Sequence, residues 1–136
     1  MRQSLYNIAR AKTTLAISTR TNGTATGTTV DLHENKDASR SALVVVFTGT
    51  MTDGSVAVTL EESADDSSWS TVAAPDLQGT APTVASTDDD KVFELGYVGS
   101  KRYIRVKAVT TSATSGGTFG AVIVRGFPRR TPISHS

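Results

Sequence analysis

The sequence contains no cysteine and only two histidines, one tryptophan and four prolines in 136 residues. Without cysteine there is no disulfide framework, no thiol nucleophile and no cysteine zinc site. Two histidines, His33 and His135, do not make a metal triad, and no Gly-x-Ser-x-Gly elbow accompanies His33, which reads as a turn histidine. No apolar run approaches the roughly 20 residues that cross a bilayer. The opening MRQSLYNIARAK has no continuous apolar core of a secretory signal, so assembly in the cytoplasm is expected. Asp65-Asp66 and Asp88-Asp89-Asp90 offer hard oxygens but not the Asp-x-Asp-x-Asp-Gly spacing of an EF-hand loop, and read as solvated loop acids. Gly116-Gly117 lacks the lysine and helix start of a phosphate loop. No catalytic, cofactor-binding or metal-ligating set is therefore expected, and the chain is read as a binding protein rather than an enzyme.

The formal net charge is only +1, but the charges are segregated. Residues 53–94 hold ten acids against one base, Lys91, whereas residues 101–136 hold seven bases and no acid. Such blocks can pair inside one fold or steer subunits and partners into register. Tyr103 lies beside Arg105 and Lys107, yet a single aromatic is a poor stacking platform for bases, so nucleic acid is not the expected partner.

After about residue 26 the hydrophobic period is two, which predicts strands. Ala42–Thr48 (ALVVVFT) is apolar at every position, as in a central strand covered on both faces. Asp53-Gly54 predicts a hairpin into Ser55–Glu62, with Val56, Val58 and Leu60 inward and Thr59 and Glu61 in water. Residues 69–73 form a short strand with Trp69 in the core, and residues 74–90 a loop. Phe93, Leu95 and Tyr97 share one face, Gly99-Ser100 turns the chain, and Ile104, Val106 and Ala108 point inward, leaving Arg105 and Lys107 as an outward cationic strip. Phe119, Ala121 and Ile123 alternate with Gly120, Val122 and Val124 on a strand also covered on both faces, which Pro128 ends. The expectation is one all-β domain: an antiparallel β-sandwich over 27–128, jelly-roll-like or immunoglobulin-like, with an extended N-terminal arm at 1–26 and a short tail at 129–136. Candidate partner contacts are Leu5, Tyr6 and Ile8 in the arm, Arg105 and Lys107 on the strip, and Arg129 and Arg130 in the tail.

Three segments, LEESADDSSWSTVAAPDLQG (60–79), ELGYVGSKRYIRV (94–106) and GAVIVRGFPRRTP (120–132), resemble a family of small virion-associated proteins of tailed bacteriophages. The resemblance implies a capsid decoration (cement) protein or another head component, homo-oligomeric on the particle surface, with the major capsid protein or other head proteins as partners and no cofactor. A tail-tube or head-tail connector subunit belongs to the same class. From a different class, a carbohydrate-binding or adhesin-like β-sandwich also fits an acidic turn leading into a tryptophan.

Overall fold

A computed structural model of the chain describes residues 4–34 and 38–127. Arg129 and Arg130 lie outside the described residues. Among the described residues, eleven strands form two antiparallel sheets. The front sheet runs β1 (Ala9–Arg20), β11 (Gly117–Gly126), β4 (Ser41–Met51), β9 (Val92–Tyr97) and β7 (Leu77–Gln78). The back sheet runs β2 (Gly23–Thr26), β10 (Tyr103–Thr111), β5 (Ser55–Ser63) and β6 (Ser70–Thr71), with β3 (Val30–Asp31) also on β10 and β8 (Thr83–Val84) also on β5. No described helix is long and apolar enough to cross a membrane.

The pairings decide between the two expected sandwiches. β1 pairs with β11, β2 and β3 with β10, β4 with β9, and β5 with β6 and β8. The early half of the chain thus runs beside the late half as one long two-stranded ribbon. Rolling that ribbon up brings β11 onto β4 and β10 onto β5, which is the jelly-roll arrangement. Consequently Asp53-Gly54 is not the tip of a paired hairpin: β4 and β5 lie in different sheets, and the turn carries the chain across the sandwich. Gly54 adopts φ +81°, and the Asp53 carboxylate accepts N–H bonds from Thr114, Ser115 and Gly116 in the neighbouring crossing.

Between the sheets lies the hydrophobic core. Leu60, Leu95, Tyr97, Ile104, Phe119 and Ile123 are its largest fully buried side chains, and each comes from the inward phase of a period-two strand. Val56, Val58, Val106 and Ala108 are buried as expected.

The arm boundary requires correction. Residues 9–26 are not an extension of the domain but its first strands, β1 along β11 and β2 along β10. Alternation failed as a guide because the inward phase of β1 is polar: Arg10 and Thr14 are buried there. Register shifts between Thr13 and Leu15 and between Leu15 and Ser18 break the period further. At this irregularity β1 reaches the other sheet. Thr14 Oγ1 donates to the Thr28 carbonyl at 2.8 Å and accepts the Val106 N–H at 3.2 Å, while the Gly27 N–H donates to the Val106 carbonyl at 2.7 Å. A Cβ on Gly27 would lie 2.6 Å from Thr14 Oγ1 and 2.7 Å from the Val106 carbonyl oxygen. Lower down, the Arg20 guanidinium donates to the Ala16, Ser18 and Phe119 carbonyls and stacks 4.8 Å over the Phe119 ring.

Gly27→Ala is expected to destabilise the domain by about 1–3 kcal/mol, because both crowding atoms that matter are backbone or short side chain and neither can retreat. Gly49→Ala, whose Cβ would meet only Thr118 at ordinary contact distance, should stay within about 0.5 kcal/mol. Urea melts of the two variants test this, and equal midpoints would refute the close-approach account.

Candidate interaction faces

Two open faces carry the expected contact residues. On the back sheet, Arg105 and Lys107 do point outward, but not as a free cationic strip. Register sets Arg105 opposite Glu61, and Arg105 Nε donates to Glu61 Oε1 at 2.9 Å, with Lys107 Nζ 3.9 Å from Glu61 Oε2. Glu61, expected in water, is buried. What covers it is the stack of Arg105 on Trp69, guanidinium carbon 4.1 Å from the ring centroid. Trp69 is half-buried at the surface rather than in the core. The core expectation fails because β6 covers only Ser70–Thr71, so Trp69 precedes the strand, and its ring is received by Arg105 instead. Tyr103 is half-buried on the same face, with the Arg102 guanidinium 5.1 Å from its ring centroid.

Most of the described basic side chains are ion-paired within the subunit. Arg102 pairs with Asp31 at 2.8 Å, and Lys91 with Asp88 at 2.9 Å. Arg10, Lys12 and Arg125 converge on Glu34 at 2.5, 3.2 and 2.6 Å, although Arg10 and Arg125 lie on neighbouring strands, β1 and β11, where like charges would otherwise repel. The acids of the middle segment serve the backbone: Asp65 accepts the Ser67 and Ser68 N–H groups, Asp88 that of Ala85, and Asp89 that of Met51. These bonds hold Asp65 and Asp88 below the usual carboxylate range. No group of three or more His, Asp or Glu side chains suited to a metal occurs among the described residues.

The outer side of the front sheet is different. Its outward residues on β4 and β11, Leu43, Val45, Phe47, Val122 and Val124, are only partly covered, and Leu43 is 38% exposed. Strands with the composition of doubly covered strands are therefore covered on one face only by the described residues. Val92, at 63% exposure, extends the surface on β9. The candidates Leu5 and Tyr6 stand at its upper end, 70% and 68% exposed. Leu5 shares a shallow depression of about 300 Å³ with Leu43, Val124 and Phe127. Ile8 is half-buried where the Ser4–Asn7 turn enters β1. Sequence reading located the apolar strands but not their bare side, since composition records that a strand wants cover, not whether its own chain supplies it.

No family model matches the chain, and no curated protein matches it. Solved structures that align with most of the chain do exist, at low identity. One, described as "Bacillus endospore appendages form a novel family of disulfide-linked pili", is 13% identical, with a TM-score of 0.44 over 88% of this chain and 89% of that one. A family 29 carbohydrate-binding module from Piromyces equi is 10% identical, with a TM-score of 0.39 over 87% and 91%. The CBM22-1 xylan-binding domain of Paenibacillus barcinonensis Xyn10C is 10% identical, with a TM-score of 0.39 over 93% and 86%.

Two outcomes follow from this geometry. Trp69→Ala should cost about 1–2 kcal/mol, a half-exposed stack, whereas Phe119→Ala in the core should cost about 3–5 kcal/mol; equal losses in thermal or urea melts would return Trp69 to the core. Stability should also be acid-sensitive. The Arg125 hydrogen bond, with Lys12, pulls the Glu34 carboxyl down to about 2 against the opposing effect of burial. A depressed carboxylate stabilises the fold above its ordinary value, and that contribution is lost as pH falls from about 4.5 to about 2. Melting temperature should accordingly fall across that window, and Glu34→Gln should lower it at pH 7 while flattening the slope. An unchanged slope in the variant would show that Glu34 is not the sensor.

Proposed function

We propose that the chain is a non-catalytic structural subunit that works by burying the outer face of its front sheet against protein, and that its place is the surface of a tailed-phage head as a decoration protein bound to the major capsid protein. The observation that carries the first part is the apolar outer face of β4, β11 and β9, uncovered among the described residues. Contiguous apolar surface of this kind marks interaction sites on soluble domains, and Arg102, Arg105, Lys107 and Arg125 are already ion-paired within the subunit. The phage assignment rests on the resemblance of the three segments at 60–79, 94–106 and 120–132. Protein released from purified heads and added back should rebind to saturation at a fixed number of copies. Absence from purified particles, or no rebinding, would remove the assignment.

A second reading, a carbohydrate-binding or adhesin-like module, is favoured by one specific observation: Trp69 is at the surface, with Tyr103, Arg105, Lys107 and Glu61 on the same open face. Aromatic rings flanked by polar groups suit sugars. Against it, Arg105 already stacks on the indole. A glycan array with the wild type and a folded Trp69→Ala variant separates the readings: Trp69-dependent glycan binding would favour the second.

A further inference from the structure

We infer that the front-sheet face is covered by a second copy of this chain, in a two-fold, face-to-face dimer whose axis runs parallel to the strands between β11 and β4. The inference rests on the reading of the chain as a structural subunit and names the partner of that face.

The register places the outward residues of β1, β11, β4 and β9 in level rows. The middle row is Thr13, Val122, Val45, Glu94, and the row above it is Ala11, Val124, Leu43, Gly96. Glu94 is the one ionisable side chain in these rows. A two-fold axis along the strands reverses each row upon itself. Val122 then meets Val45 of the second copy, Val124 meets Leu43, and the Glu94 carboxylate meets the Thr13 hydroxyl, which can donate to it. The alternative two-fold axis, across the strands, would set Glu94 against its own counterpart in an apolar interface, a like-charge contact that disfavours it. The preferred axis also brings together the two upper ends, where Leu5 and Phe127 are exposed, and keeps Thr118 and Gly49 at the polar lower ends together. Nearly aligned packing of this kind is how sheets stack within sandwiches.

Size sets the expected strength. Four strands about 4.8 Å apart and three outward positions along each give a patch of about 400 Å² in projection. Two such patches with the Leu5 and Phe127 ends fall at the low end of specific interfaces, so dimerisation in the micromolar range is expected rather than an obligate assembly. The self-complementary rows are what favour this occupant over an unrelated protein, because an isologous contact requires one patch to fit its own reverse.

The experiment is sedimentation equilibrium of the full chain from about 1 to 200 μM, with circular dichroism as the check on folding. Wild type should move from monomer to dimer. Thr13→Glu, at an exposed strand position, sets a carboxylate against Glu94 of the second copy and should weaken the dimer at least tenfold. Adding Glu94→Lys to the same chain should restore it. A wild type that stays monomeric at 200 μM overturns the inference, as does a dimer indifferent to Thr13→Glu or one that Glu94→Lys does not rescue. A monomer that still saturates phage heads would overturn the dimer and keep the structural role, whereas a dimer that does not bind heads would do the reverse.

Discussion

The sandwich depends on one close approach, where Gly27 passes Thr14 and Val106. A jelly roll is a ribbon wound on itself, and winding leaves an open seam between its two sheets unless the outermost strand crosses it. Here β1 belongs to the front sheet by its pairing with β11 and reaches the back sheet through Thr14 and the Gly27–Val106 hydrogen bond. The contact needs a residue without Cβ at 27 and a short side chain with both donor and acceptor at 14. Leu15, Ile104 and Phe119 are buried in the core beside it.

Electrostatics follow from the same winding. Acids and bases distant in the chain are laid together because β5 runs against β10 and β1 against β11. Glu61 meets Arg105, and Glu34 gathers Arg10, Lys12 and Arg125. A chain with sharply segregated charge thereby folds into a subunit whose described basic residues are mostly engaged internally. Apolar area on the front sheet stays exposed, and under the proposed function it is this area that carries recognition.

Legibility varied by element, and for identifiable reasons. β5, β9 and β10 are readable from alternation, β4 and β11 from their apolar composition, and the turns at Asp53-Gly54 and Gly99-Ser100 from their turn residues. The pairing of the strands is not, because adjacent strands in a rolled ribbon sit in opposite sheets, and no local signal distinguishes a hairpin turn from a crossing. β1 was hidden by its polar inward phase at Arg10 and Thr14, whose burial is tolerable only with partners 14 to 92 residues away. Trp69 was misplaced because its size argued for the core, while the residue that receives it, Arg105, comes from another strand.

By itself the sequence determined the all-β class, the inward phase of three strands, the positions of the turns, and the lack of thiol and disulfide chemistry. Each depends on residue identity or on neighbours within a few positions. The tertiary structure alone decided the jelly-roll order, the membership of residues 9–26 in the sandwich, the neutralisation of Arg105 by Glu61, and the bare outer side of β4 and β11. Each of those is a question of which distant residue arrives, and period-two alternation gives every strand two faces without saying what will stand against either.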